Sequence, residues 1–281
     1  MARPVPAVLS IAGSDSGGGA GVQADLKAFA RCGVHGLTAL TALTAQSTTG
    51  VTAVHPVAPE MIIEQVRVVA ADLGVDAVKI GMLGTVETVE AVRDALALLP
   101  PGTPVVIDPV MVAESGAVLL DEPARTALIE LLLPLATVVT PNLPEARVLA
   151  SEQSDDADAE ALARAIHALG PANVVVTGGH REPIVDVFFD GADVKPIAGE
   201  RHPDGAAHGS GCTHSSALAA HLALGFTPLQ AARAARAIAS AAVRDGLREL
   251  GEGAGPVDVF GLRHAARPGA PTGQSAASPL A

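Results

Sequence analysis

Short runs of apolar residues recur along the chain, and each ends at a glycine or a polar residue. Apolar runs between such signals are typical of strands buried in a parallel sheet. The pattern predicts buried strands over Pro6–Ala12, Asp76–Ile80, Val105–Ile107, Ala136–Thr140 and Asn173–Thr177. Alternating apolar and polar residues predict a half-exposed strand at Val51–Val57, and a hairpin of Val185–Phe189 with Asp193–Ile197 around Asp190 and Gly191.

Between these strands, apolar residues recur at helical spacing behind capping signals. Proline stands near the first turn of one segment, at Pro59, and Thr85 caps another. The pattern predicts helices over Val22–Phe29, Pro59–Leu73, Thr85–Leu99, Glu122–Leu133, Ala146–Ala150, Asp155–Leu169, Ala217–Leu222 and Leu229–Leu247. One domain is expected over residues 1–264, followed by a disordered tail over 265–281 that is rich in Pro, Gly, Ala and Ser.

Strands that alternate with helices predict an α/β fold with a mostly parallel sheet covered on both faces. Ligands of such sheets bind at the carboxyl ends of the strands. Six polar or glycine-rich clusters are expected to meet there: Gly13–Gly21, Gly81–Gly84, Asp108, Asn142 with Glu145, Gly178–His180 and His208–Thr213.

Composition narrows the classes of partner. The chain has 281 residues, 49% hydrophobic and 2% aromatic, and a net charge of −12, which disfavours nucleic acids and anionic membranes. Because the only lysines are Lys27, Lys79 and Lys195, a phosphate site must rely on backbone N–H groups, arginine or a metal ion. Two cysteines, Cys32 and Cys212, and the lack of a signal-peptide pattern predict a soluble cytoplasmic protein.

The clearest candidate for chemistry is the stretch His208–Ser216, where two glycines open onto an alanine-rich helix. A glycine turn at a helix N-terminus presents unpaired N–H groups, so this stretch is predicted to bind phosphate or another oxyanion. Cys212 lies inside the turn. Its alternative role in a soft-metal site with His208 and His214 is disfavoured because the spacing matches no known metal motif.

Other candidates each have a plainer alternative. Asp108 with Asn142 and Glu145 could serve Mg²⁺, but Asp108 could instead form a turn, and Asn142 with Glu145 could cap a helix. Gln46 could bind the edge of a heteroaromatic ring or be solvated. The first glycine-rich loop could be a plain turn. The basic residues Arg233, Arg236 and Arg244 are interpreted as a solvated helix face.

Taken together, these motifs resemble those of the ribokinase superfamily, and within it the hydroxymethylpyrimidine/phosphomethylpyrimidine kinases. The resemblance covers about residues 6–262 and rests on Ala12–Asp15, Gly18–Lys27, Thr41–Gln46, Lys79–Leu83, Asp108–Met111, Thr140–Ala146, Gly178–His180 and His208–Thr213.

The resemblance implies a ribokinase-like αβα sandwich with a mostly parallel central sheet and a small β lid, often as a homodimer. It implies transfer of the γ-phosphate of ATP, with Mg²⁺, to 4-amino-5-hydroxymethyl-2-methylpyrimidine and then to its monophosphate, in thiamin biosynthesis. By the same resemblance, the pyrimidine would be bound by Gln46, Gly13, Asp25, Met82 and Val110. ATP and its phosphates would be bound by Asn142, Glu145, Thr177, His208 and Thr213, and Mg²⁺ by Asp108 and Glu145. The catalytic anion hole would comprise Gly209, Ser210, Gly211 and Cys212.

The chain departs from the family pattern at three places. Ser210 stands where Thr is usual, Thr177 where many relatives have Lys, and Ser16-Gly17 where Pro-Ser is common. The Thr177 departure predicts that a charge which neutralises phosphate is missing, and the Ser16-Gly17 departure predicts a looser loop.

Three other functions compete with this interpretation. A pyridoxal kinase of the same superfamily phosphorylates an alcohol of similar size, but Gln46, Met82 and Cys212 favour the pyrimidine branch. A dinucleotide-binding oxidoreductase is disfavoured because the G-x-G-x-x-G spacing is missing. A ligand sensor without catalysis is disfavoured because Asp108 and the anion loop are retained.

The helix N-terminus stabilises a thiolate too weakly to make Cys212 a strong nucleophile. A helix N-terminus stabilises a neighbouring anion by roughly 0.3–1 kcal/mol, whereas one pKa unit requires about 1.4 kcal/mol. We therefore expect Cys212 to accept a proton late in phosphoryl transfer, and not to act as a covalent nucleophile.

Overall fold

The computed structural model describes residues 4–113, 116–152, 158–178 and 184–265. Nine strands form one sheet in these residues, and its spatial order is β3-β2-β1-β4-β5-β6-β7-β8-β9. The strands are β1 Ala7–Asp15, β2 His35–Ser47, β3 Gly50–Pro56, β4 Ala77–Ile80, β5 Val105–Ile107, β6 Val138–Val139, β7 Val174–Val176, β8 Val185–Phe189 and β9 Val194–Ala198. Six neighbouring strands run parallel: β2, β1, β4, β5, β6 and β7. Strands β3, β8 and β9 are each antiparallel to the strand before them in the sheet.

Helices cover both faces of this sheet. They are α1 Gly21–Arg31, α2 Pro59–Asp72, α3 Val86–Leu96, α4 Glu122–Ala127, α5 Leu143–Leu149, α6 Ala159–His167, α7 Ser210–Ala223 and α8 Pro228–Arg244. A π-helical turn follows α4 at Leu128–Leu132, and short 3₁₀ turns lie at Leu133–Leu135 and Leu262–His264.

Successive strand residues point to opposite faces, and this period separates two apolar cores. In β5, Val105 and Ile107 pack with helices α2 to α6, whereas Val106 packs with α1, α7 and α8. The second core is built largely of alanine from α7 and α8. The predicted α/β fold with a mostly parallel sheet is confirmed. Because the chain has few aromatic residues, small aliphatic side chains fill the space between the three layers.

The β2–β3 hairpin fits the predicted β lid. Strand β3 pairs with residues Ala42 to Ser47 of β2, at the edge of the sheet, and is mostly exposed. The sequence pattern predicted β3 but assigned no strand over the Thr- and Ala-rich residues of β2.

Several boundaries differ from the prediction for local reasons. Helix α5 begins three residues early because Asn142 caps it, and α4 is short because the π-helical turn follows. Strand β1 continues past Ala12 through a bulge at Gly13 and pairs Ser14 and Asp15 with β2. The predicted tail lies outside the described residues except for Ala265, and so does the start of the predicted helix from Asp155.

Candidate active site

A cavity of about 480 Å³ lies at the carboxyl ends of the parallel strands. It is lined by thirteen of the fifteen predicted site residues: Gly13, Gln46, Met82, Asp108, Val110, Asn142, Glu145, Thr177, His208, Gly209, Ser210, Gly211 and Cys212. Asp25 and Thr213 do not line it and are fully buried behind its wall. Of the predicted Gly178–His180 cluster, Gly179 and His180 lie outside the described residues.

The anion loop has the conformation that its two glycines predict. Gly209 has φ +82° and precedes the first residue of the 14-residue helix α7. A Cβ at Gly209 would overlap the carbonyl oxygen of Gly19, so only glycine fits. Ser210 N–H donates to Ala207 O and Thr213 N–H to Gly209 O. The N–H groups of Gly211 and Cys212 have no intrahelical acceptor and face the cavity end of the helix, where an anion is stabilised.

Cys212 is half-buried at the start of α7 and is a thiol at neutral pH. Burial raises the pKa of Cys212 to about 12, with the nearby carboxylates of Asp25 and Asp108 adding to this effect and Lys79 opposing it. The nucleophilic form of a cysteine, which is the form that would attack a phosphate, is its thiolate, so this environment disfavours a covalent nucleophile.

A buried ion pair lies beneath Cys212. Lys79 Nζ donates to Asp25 Oδ1 at 2.8 Å, and both side chains are fully buried. The hydroxyls of Ser10 and Ser216 also donate to Asp25. Burial alone would lower the pKa of Lys79, but the nearby charges, that of Asp25 first, outweigh it and raise this pKa, so the ammonium stays charged. Asp25 therefore supports the cavity through Lys79, and does not form part of its lining as the family resemblance implied.

Asp108 extends from the end of β5 into the cavity. Its Oδ2 accepts a hydrogen bond from Ser215 Oγ at 2.9 Å. Burial raises the pKa of Asp108, and Asp25 adds to this effect, while Lys79 and Ser215 oppose it. Asp108 is thus a buried carboxylate on the cavity wall, and the alternative interpretation as a turn former also holds for its backbone, because Asp108 O accepts from Val110 N–H at 2.8 Å.

Asn142 and Glu145 form a capping box and also line the cavity. Asn142 Oδ1 accepts from Glu145 N–H, and Glu145 Oε2 accepts from Asn142 N–H, both at 2.9 Å. Burial and the charge of Asp108 raise the pKa of Glu145 to about 8. The helix-capping alternative is therefore correct for both residues, and it leaves one carboxylate oxygen of Glu145 free of this box.

These two carboxylates fit a magnesium ion. Mg²⁺ is usually held by one or two carboxylates together with substrate phosphates, rather than by a complete protein cage. Burial and the charge of Asp108 raise the pKa of Glu145, and a cation held by these carboxylates would offset both effects. Among the described residues, no three or more His, Cys, Asp or Glu side chains are grouped so that they could hold a metal alone. His208, Cys212 and His214 therefore do not form such a group.

Residues of the first glycine-rich loop, of β2 and of the Gly81–Gly84 loop also line the cavity. Gly13 lies against Met82, where a Cβ would be 3.2 Å from the Met82 sulfur. Thr44 Oγ1 donates its proton to Ser14 O at 2.7 Å and lies 3.3 Å from Gln46 Oε1. The Ser16 hydroxyl donates to Gln46 O and accepts from Gln46 N–H, so two hydrogen bonds hold this loop to β2, and the looser loop stays a prediction.

Asp15 is a site residue that the sequence interpretation did not single out. Its carboxylate accepts hydrogen bonds from the N–H groups of Gly17, Gly19 and Ala20, and from His208 Nε2 at 3.2 Å. Burial alone would raise the pKa of Asp15, but these donors outweigh it and hold the pKa below its usual range. An aspartate directly before Ser-Gly-Gly-Gly was the available signal, since Asp side chains commonly accept from the N–H groups of the next residues. The glycine-rich loop is thus more than a plain turn.

Two basic residues were also missed or misplaced. Lys79, a single lysine in an otherwise apolar strand, carries a signal for a buried ion pair. Arg236 was wrongly assigned to a solvated face. Its side chain is 15% exposed, lines the cavity and pairs with Asp186, whereas Arg233 and Arg244 are exposed as predicted.

A family model described as phosphomethylpyrimidine kinase matches residues 15–258. The chain belongs to this kinase family. A hydroxymethylpyrimidine/phosphomethylpyrimidine kinase of Rhizobium meliloti (strain 1021) is 48% identical over 90% of this chain and 96% of its own. A thiamine biosynthesis bifunctional protein of Geobacter sulfurreducens is 45% identical over 91% of this chain and 52% of its own length.

Solved structures agree with this assignment. The ADP complex of Bacillus subtilis pyridoxal kinase has a TM-score of 0.83 and 39% identity, covering 92% of this chain and 99% of its own. Phosphomethylpyrimidine kinase from Clostridium difficile 630 has a TM-score of 0.72 and 37% identity, covering 83% of this chain and 96% of its own. The predicted family and ribokinase-like fold are confirmed. In the described part of the kinase, no helix is both long and apolar enough to cross a membrane.

Proposed function

We propose that this kinase transfers the γ-phosphate of Mg²⁺–ATP to 4-amino-5-hydroxymethyl-2-methylpyrimidine and then to the resulting monophosphate, in thiamin biosynthesis. The observation that carries the proposal is one cavity that contains both an anion-binding helix terminus and the Gln46 amide. The names of the relatives support the substrate, and the ADP complex of a structural neighbour supports an adenine nucleotide.

The residues of the chain suggest how the transfer proceeds. Gln46 would bind the aminopyrimidine edge, with Met82 and Val110 against the ring, so that the hydroxymethyl group points toward Cys212. The N–H groups of Gly211 and Cys212 would bind the transferring phosphoryl oxygens. Asp108 and Glu145 would hold Mg²⁺, which supplies charge neutralisation for the phosphates.

Cys212 would take the alcohol proton late. Only the thiolate can accept that proton, and a pKa of about 12 leaves Cys212 almost wholly as the thiol at neutral pH, so the base role depends on the small thiolate fraction whose own proton has already passed to solvent. In a loose phosphoryl-transfer transition state, however, the alcohol becomes acidic only as its bond to phosphorus forms. Cys212→Ser is expected to keep the fold and ATP binding but to lower kcat, and a trapped phospho-cysteine would contradict the base role.

A kinase assay with Mg²⁺–ATP and the pyrimidine alcohol, which follows ADP and the mono- and diphosphate, tests the proposal. Formation of both phosphorylated products is expected, and their absence would reject it. Omission of Mg²⁺ in EDTA should abolish turnover. The homodimer, the cytoplasmic location, and the lack of nucleic-acid and membrane partners stay predictions.

Pyridoxal kinase activity is a second candidate, favoured by the TM-score of 0.83 to the Bacillus subtilis pyridoxal kinase. Pyridoxal in the same assay discriminates the two. A higher kcat/KM for the pyrimidine alcohol is expected, and a higher value for pyridoxal would exchange the two assignments.

A further inference from the structure

A half-buried arginine on the cavity wall has no role in the reaction described above. Arg236 lies on α8, and with Ser240 and Val243 of the same helix it lines the cavity. Strand β9 ends next to it, and a Cβ on Gly199 would overlap the guanidinium. The backbone at Gly199 therefore leaves the space that this side chain occupies.

The guanidinium is held by one carboxylate but is not saturated by it. Arg236 Nη1 lies 3.5 Å from Asp186 Oδ1, which is longer than the roughly 2.7–2.9 Å of a charge-assisted hydrogen bond. Arg236 Nε is buried without a hydrogen-bond partner among the described residues. Because a guanidinium presents several N–H donors in one plane, donors remain for a second anion.

Asp186 also ties Arg236 to the end of β7. Asp186 Oδ1 accepts a hydrogen bond from Gly178 N–H at 2.9 Å. Gly178 follows Thr177, which lines the cavity and whose N–H donates to Pro141 O, next to Asn142. The Asp186 carboxylate therefore holds Arg236 at the end of β7, next to Thr177, whose side chain carries no charge.

The neighbouring groups do not supply a positive charge at this point. His214 Nε2 lies 4.0 Å from Asp186 Oδ2. Burial lowers the pKa of His214, and the charge of Arg236 lowers it further. The charge of Asp186 opposes this shift but does not cancel it, so the imidazole is neutral at pH 7. Arg201 also lines the cavity, but it is exposed to solvent. Within the cluster of Asp186, His214 and Arg236, the cation is Arg236.

We propose that Arg236 binds the phosphate chain of the nucleotide, and so provides the positive charge that Thr177 does not. The inference rests on the proposed kinase function for the identity of the ligand, a nucleoside polyphosphate. It requires that the contribution of Arg236 grows with the number of phosphates and is absent for the adenosine part.

Calorimetric titration with ATP, ADP and AMP tests this inference in four proteins: wild type, Arg236→Met, Arg233→Met and the double variant Arg236→Met with Thr177→Lys. Arg233 is the matched control because it lies on the same helix but is exposed. Arg236→Met is expected to weaken ATP binding by about tenfold or more, with a smaller loss for ADP and less than about twofold for AMP. Thr177→Lys should restore part of the lost ATP affinity, and Arg233→Met should bind like the wild type.

Equal losses for ATP and AMP, or an unchanged ATP affinity, would overturn the inference and leave Arg236 as a structural partner of Asp186. Should Arg236→Met fail to fold, Arg236→Gln keeps a polar contact with Asp186 and answers the same question. Binding does not depend on turnover. Wild-type protein that binds ATP without phosphorylating the pyrimidine alcohol would reject the proposed function alone, whereas an active wild type with an unaltered Arg236→Met affinity would reject this inference alone.

Discussion

Replacing Lys79 by Met tests the buried ion pair that supports the cavity. The perturbation removes the ammonium but keeps a chain of similar length, so Asp25 is left fully buried with hydrogen bonds only from Ser10 and Ser216. Two unit charges 2.8 Å apart attract by about 6 kcal/mol at an effective dielectric constant of about 20. Part of this is offset by desolvation, and removing one partner of a buried pair typically costs about 3–5 kcal/mol.

The two serine hydroxyls that remain place the expected loss near the lower limit, at about 3 kcal/mol in the free energy of unfolding. Urea unfolding measures this loss, and the melting temperature should fall by roughly 6–12 °C. Lys195→Met is the matched control. Lys195 is exposed and pairs with Asp193, so its loss should change stability by less than about 1 kcal/mol.

The double variant Asp25→Asn with Lys79→Met separates charge from packing. It removes both charges, so it should be more stable than Lys79→Met alone. The reasoning is refuted by a Lys79→Met protein within about 1 kcal/mol of the wild type, or by a double variant at least as unstable as the single one.

Three further predictions concern the carboxylates and thiols of the site. The pKa of Glu145 is raised from 4.5 to about 8, so between these values the folded protein binds a proton that the unfolded chain does not. In EDTA, stability should therefore fall as pH rises through this range, and Glu145→Gln should flatten the slope in urea unfolding at several pH values. Both cysteines have raised pKa values, about 12 for Cys212 and about 11 for Cys32, so iodoacetamide at pH 8 should alkylate them far more slowly than a free cysteine. Intact-mass measurement follows this, and rapid labelling contradicts the buried-thiol description. Asp15→Asn replaces an acceptor of several N–H groups by an amide, and should cost about 1–3 kcal/mol and raise KM for the pyrimidine alcohol in steady-state kinetics.

The layered fold and the meeting of the loops were predictable because they follow from local signals. Apolar runs and capping residues identify buried strands and helix starts, and parallel strands bring their carboxyl ends together. Strand β2 was not predicted because its Thr- and Ala-rich sequence lacks a clear alternation of apolar and polar residues. Its pairing with β1 and β3 holds it in the sheet.

The site residues that were missed depend on contacts between distant parts of the chain. Arg236 has the helical spacing of a surface residue, and its burial depends on Asp186, on the adjacent β8–β9 hairpin and on the space at Gly199. Asp25 lies in a family motif, yet its carboxylate is fully buried against Lys79, which lies 54 residues further along the chain. No local pattern contains either fact.

The contact between the first glycine-rich loop and the anion loop limits which substitutions these two loops can accept. The His208 ring occupies the space that a Cβ on Gly19 would need, and the Gly19 carbonyl occupies the space of a Cβ on Gly209. Positions almost two hundred residues apart therefore cannot mutate independently. A larger residue at position 19 becomes tolerable only after His208 has been replaced by a smaller side chain, which would also remove its contact with Asp15. Among diverged relatives, His208 should change before Gly19, and Gly209 should stay glycine because its Cβ would overlap a backbone carbonyl that every residue at position 19 carries.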